Sequence, residues 1–168
     1  MHHYPPKGYD KVNLVGYSMG GLGLLRAAEL LPADTVTMLQ TPTEARGHRL
    51  FKRFISILAG SDHTMLAEEG YEVFIRNGVL TEYENLGSVP KVLKAIEQKE
   101  KRPAILCVSS PDDKRICHDS IMALADIDGV TVCEAADVKH DATDPDAVRR
   151  LVSPAISWLT EQASRRSA

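Results

Sequence analysis

The chain has 168 residues, 43% hydrophobic and 26% charged, with a net charge of −3. That length suits one domain with a substantial core, and the slightly acidic balance argues against a nucleic-acid partner. No apolar run is long enough to span a membrane, and Met1 to Lys7 lacks the apolar stretch of a signal peptide. Cys107, Cys117 and Cys133 are odd in number and form no Cys-x-x-Cys pair, so they read as reduced thiols of a cytoplasmic protein.

In chain order, residues 11–16 read as a short buried strand running into Gly16-Tyr17-Ser18-Met19-Gly20. The apolar stretch Leu22 to Leu31 then predicts a helix over roughly 19–31, ended by Pro32. A strand at 35–40 follows, closed by Thr41-Pro42. Residues 43–88 break the alternation. There Leu50, Phe51, Phe54, Ile55, Ile57 and Leu58 repeat at helical spacing, and Tyr71, Phe74 and Ile75 suggest a second amphipathic helix. Beyond them come a Lys-rich helix at 89–100, strand 103–109, helix 118–126, strand 130–135 and a final helix from about Asp144 to Gln162. Asp144-Pro145-Asp146 is a helix-start signature, and Pro154 is expected to kink or divide that helix. Strands alternating with helices predict an α/β fold with a mostly parallel sheet flanked by helices.

The residues at the strand ends carry the chemistry. A serine on a sharp strand-to-helix turn is held above the sheet, small glycines let the chain turn, and the helix N-terminus offers N–H groups to a developing negative charge. Ser18 stands in that position. Asp112 and Asp113 follow the strand at 103–109, and His140 follows the strand at 130–135. Serine, then acid, then histidine, each just past a strand, resembles the α/β-hydrolase family from Lys11 to about Gln162. The resemblance implies Ser18 as nucleophile, His140 as general base, an aspartate orienting the imidazole, and the Met19 N–H as oxyanion donor. Ser110-Pro111-Asp112-Asp113 followed by Ile116 fits the family's usual acid motif and favours Asp113, with Asp112 the competitor; Ser110 stands where glycine is usual. Each candidate also has a structural reading: Ser18 as a small turn residue, and His140 as an exposed loop histidine.

The same resemblance makes 43–88 a cap insertion, in which Phe51, Phe54 and Ile55 form an acyl pocket or pack the cap onto the sheet. It also implies strands ahead of the nucleophile strand, and only ten residues precede position 11. Residues 11–16 are therefore expected to form an open edge, covered by a second copy or a partner chain, and one oxyanion donor is expected to be missing. No cofactor motif survives inspection. Gly21-x-Gly23 lacks the third glycine of a dinucleotide site, and Leu22 stands where a phosphate loop needs lysine. Apart from the terminal His2-His3, no histidines lie at metal-ligand spacing. Two function classes remain: a serine hydrolase acting on small acyl esters or thioesters, and a non-catalytic, truncated hydrolase-like domain that binds a partner.

Overall fold

The computed structural model describes residues 11–43, 88–141 and 143–165. The chain divides into two compact units, one of Met1–Thr43 with Val89–Ala168 and one of Glu44–Ser88. Within the first unit the elements run β1 (Asn13–Tyr17), α1 (Met19–Leu30), β2 (Thr35–Leu39), α2 (Val89–Glu97), β3 (Ala104–Ser109), α3 (His118–Met122), β4 (Val130–Glu134) and α4 (Pro145–Arg165). A 3-10 turn over Ala123–Asp126 extends α3. The cap expected over 43–88, with Phe51, Phe54 and Ile55, falls on residues 44–87, which lie outside the described residues.

The four strands form one parallel sheet in the order β1-β2-β3-β4. Strand order equals chain order, so every crossover steps the same way, and the right-handed rule puts the connecting helices on one face. The burial follows. β2 is buried along its whole length and β3 nearly so, whereas the edge strands β1 and β4 are fully buried at Gly16 alone. Central parallel strands are covered on both faces, which is why Val36-Thr37-Met38-Leu39 and Ile105-Leu106-Cys107-Val108 read as continuous runs.

Leu39, Leu106 and Val108 point to the α4 face and pack with Ala135, Val138, Leu151, Ala155 and Trp158. Met38 and Cys107 point the other way, toward Val89, Ile121 and Leu124. On that face α1 packs against α2. Lys99, just past α2, ties the two together by donating from Nζ to the Ala28 and Leu31 carbonyls at 2.8 and 3.2 Å. Ala28 lies in the last turn of α1 and Leu31 is its C-cap, where carbonyls lack helical partners and a cation is favourable.

Three differences from the sequence reading are informative. β2 stops at Leu39 rather than residue 40 because Gln40 adopts a left-handed conformation, φ 44°. The segment expected to be one helix over 118–126 tightens into a 3-10 turn after Met122. Pro154 does not divide the last helix, which runs unbroken for 21 residues. Leu151, Ala155 and Trp158, buried around the proline, hold both halves to the sheet. The hydroxyl of Ser153 also bonds the Arg149 carbonyl at 2.7 Å. Among the described residues no helix is long and apolar enough to cross a membrane, and all three cysteines are free.

Candidate active site

The C-terminal ends of the strands converge on one cluster. Ser18 occupies the single residue between β1 and α1 with φ 51° and ψ −127°. A non-glycine residue there costs about 1–3 kcal/mol and persists only where its surroundings impose it. They do so from both sides. The Ser18 N–H donates to the Leu39 carbonyl of β2 at 2.8 Å, and its own carbonyl accepts the Gly21 N–H at 3.1 Å. Tight packing of strand on helix completes the turn. A Cβ on Gly16 would lie 2.7 Å from Gly21 Cα, and one on Gly21 would lie 1.9 Å from Thr41 Oγ1. Gly20, the second glycine of the Gly-x-Ser-x-Gly motif, meets nothing within 4 Å.

Ser18 does not spend its hydroxyl on capping α1. Its Oγ lies 2.9 Å from His140 Nε2, and His140 Nδ1 lies 2.7 Å from Asp113 Oδ2. A carboxylate only accepts, so Nδ1 carries the proton and Nε2 presents its lone pair to the serine O–H. Asp113 has no exposed side-chain surface, and the His140 side chain is only 12% exposed. The other carboxylate oxygen, Oδ1, accepts the N–H groups of Arg115 at 2.9 Å and Ile116 at 3.3 Å, which hold the acid in place. Asp112 is engaged elsewhere, accepting the Asp137 N–H at 2.9 Å. Geometry therefore brings Ser18, His140 and Asp113 together and leaves Asp112 out. Met19 is the first residue of α1, so its N–H is among those a helix leaves without an internal partner.

Each partner loop is fixed by contacts that sequence reasoning missed. The acid loop leaves β3 at Ser109 and returns at His118. His118 Nδ1 lies 3.0 Å from Ser109 Oγ, while Nε2 lies 3.2 Å from Glu134 at the end of β4. That bridge closes the loop around Asp113. The His140 loop is tied at several points. Ser110 Oγ accepts the Val138 N–H at 3.4 Å, Arg150 bonds the Asp137 carbonyl at 3.2 Å, and Arg115 pairs with Asp141. The Tyr17 hydroxyl donates to the His140 carbonyl, with the two rings 5.4 Å apart. Burial first, then the charge of Asp113, pushes the Tyr17 phenol up from its ordinary value. Gln40, fully buried, donates from Nε2 to the Val138 carbonyl at 3.2 Å.

Ser18, Gln40 and Asp137 are the three non-glycine residues with positive φ among those described, and all three border this cluster. Strain concentrated in one place is a mark of functional sites. No sequence motif announces Gln40 or Asp137, because left-handed positions are recognisable chiefly when glycine or asparagine fills them.

No protein-family model matches the sequence, and no curated protein matches it. Solved structures do resemble it. An α/β-hydrolase enzyme from the sediment metagenome of the Mar Chica lagoon, Morocco, superposes with a TM-score of 0.61 at 11% identity, over 94% of this chain and 64% of that one. A carboxylesterase structure from the thaumarchaeon Nitrososphaera gargenis gives 0.57 at 14% identity, over 89% and 65%. The esterase domain of a Rhodothermus marinus protein gives 0.51 at 15% identity, over 87% and 59%. The chain thus spans less than two thirds of the length of each. At such identities likeness speaks to fold, and the fold of this chain is that of the α/β-hydrolases.

Proposed function

We propose that the chain is a serine hydrolase that cleaves acyl esters or thioesters through an acyl-enzyme on Ser18. The observation that carries this reading is the unbroken relay from Ser18 Oγ through His140 to Asp113, mounted on a strained turn at a helix N-terminus. In this reading Ser18 Oγ attacks the acyl carbonyl carbon while His140 Nε2 takes its proton. Asp113 keeps the imidazole in the required tautomer and stabilises its charged form. The Met19 N–H donates to the oxyanion. Collapse breaks the bond to the leaving oxygen or sulfur, which takes the proton back from His140. Water then repeats the sequence on the acyl-enzyme and frees the acid and Ser18.

The neighbouring solved structures are of a hydrolase, an esterase domain and carboxylesterases, which supports an acyl-ester substrate. No cofactor enters the scheme. The cysteine usage supports a reducing, cytoplasmic setting.

Hydrolysis of a p-nitrophenyl ester and an acyl thioester tests the proposal. Ser18→Ala and His140→Ala are each expected to lower turnover by about 10⁶-fold, and Asp113→Asn by about 10⁴-fold. Turnover retained in any of them would overturn the assignment of that residue.

A second reading is favoured by one observation. β1 is an edge of the described sheet, and Val15 and Tyr17 on it are 51% and 42% exposed. Such an edge suits pairing with a second copy or a partner chain. A folded chain without esterase turnover, whose mass in solution exceeds the monomer's, would favour this binding role.

A further inference from the structure

The geometry points to Gln40 as the residue that positions His140, an assignment that rests on the hydrolase reading above. Gln40 sits where the three site segments meet. Its N–H donates to the Val108 carbonyl of β3 at 2.7 Å, five residues before Asp113 on the same segment. The carbonyl of its neighbour Leu39 holds the Ser18 N–H at 2.8 Å. Its side chain crosses to the third segment, where Nε2 donates to the Val138 carbonyl at 3.2 Å, two residues before His140.

This placement is costly, which argues that it is not mere filling. The backbone of Gln40 is held at φ 44°, a conformation that glycine or asparagine adopts more readily. The side chain is 0% exposed, and its Oε1 has no hydrogen-bond partner among the described residues. A buried, unsatisfied acceptor is destabilising in itself. An apolar side chain would fit the same core without that loss, but it could not satisfy the buried Val138 carbonyl. Val138 is itself fully buried and follows Asp137, the other strained residue of this loop. Removing the amide would leave the Val138 carbonyl unpaired and free the loop to shift. A displacement of about 1 Å at the base is enough to lower a rate by roughly 10²-fold.

The test uses two variants and two readouts. Gln40→Met keeps the volume and removes the donor. Gln40→Glu keeps the shape and donates only while protonated, and burial favours that protonated form. The first readout is the rate of Ser18 labelling by a fluorophosphonate. The second is the proton resonance of His140 Nδ1–H, which reports its bond to Asp113 without needing catalysis. In Gln40→Met the expected results are a labelling rate lower by roughly 10²-fold and loss of the sharp His140 resonance. In Gln40→Glu the resonance is expected at low pH and lost as the carboxyl ionises. Wild-type labelling and an unchanged resonance in Gln40→Met would overturn the inference. If that variant does not fold, a Gln40→Glu resonance independent of pH would overturn it instead. A wild-type chain that does not label would overturn the hydrolase reading alone, and the resonance in the variants would still decide the role of Gln40.

Discussion

The glycines around Ser18 offer a stringent test of the turn, because motif and structure rank them differently. By motif, Gly16 and Gly20 flank the serine and Gly21 is incidental. By structure, a Cβ at Gly16 would stand 2.7 and 2.8 Å from backbone atoms of Gly21, and one at Gly21 would stand 2.9 Å from Thr41 Cβ as well as 1.9 Å from its hydroxyl. Backbone cannot rotate away as a side-chain tip can. To restore ordinary contact of about 3.4 Å, α1 must move off β1 by roughly 0.7 Å. Overpacking of this kind typically costs about 1–3 kcal/mol. At about 2–4 °C per kcal/mol for a chain of this size, the melting temperature of Gly16→Ala and Gly21→Ala should fall measurably. Gly20 lies in the first turn of α1 with open space around its Cβ position. Gly20→Ala should therefore be neutral or stabilise by up to about 1 kcal/mol through reduced backbone entropy. Urea denaturation of the three variants reads this directly. A Gly20→Ala variant less stable than Gly16→Ala would refute the steric account.

Other expectations concern the helices and the buried thiol. Lys99→Met removes the cation that serves the Ala28 and Leu31 carbonyls and should cost about 1 kcal/mol in the same assay. Trp158 is the sole tryptophan and is packed in the cluster beneath α4. Its fluorescence should shift to the red on unfolding, and Trp158→Ala should cost about 3–5 kcal/mol. Burial, then the neighbouring Cys133, pushes the Cys107 thiol up to about 12. A hydrogen bond from Ser120 pulls the exposed Cys117 down. A disulfide reagent near neutral pH should therefore modify Cys117 first and Cys107 only on unfolding. Because folding favours the protonated Cys107, its contribution is complete below the ordinary thiol value of 9.0 and is lost as pH climbs toward about 12. Tyr17 is raised in the same sense, so stability should decline through this alkaline range. The decline should be smaller in a Cys107→Ala, Tyr17→Phe double variant.

Much of the fold was legible because its signals are local. The buried runs of β2 and β3, the Ser18 turn and the Asp144-Pro145 start are each written in a few adjacent residues. Order along the chain also placed Ser18, the aspartate pair and His140 just past the strands that became β1, β3 and β4. What sequence could not supply are the long-range partners. The acid motif favours Asp113 over Asp112, but the contact that selects it is long-range, with His140 27 residues away. The His118 bridge joins β3 to β4 through a register that one strand alone does not specify. Gln40 reads as ordinary because its fully buried amide serves a carbonyl 98 residues distant. Pro154 leaves the helix undivided because a helix-breaking preference of about 3 kcal/mol is outweighed where Leu151, Ala155 and Trp158 anchor both sides of it.

The central claim is that Ser18 is an activated nucleophile. Intact-mass analysis after treatment with a fluorophosphonate tests it most directly, with Ser18→Ala and His140→Ala as controls. The account predicts a single adduct on the wild-type chain and none on either variant. A folded wild-type chain that gains no adduct, or an adduct that survives in Ser18→Ala, would contradict it.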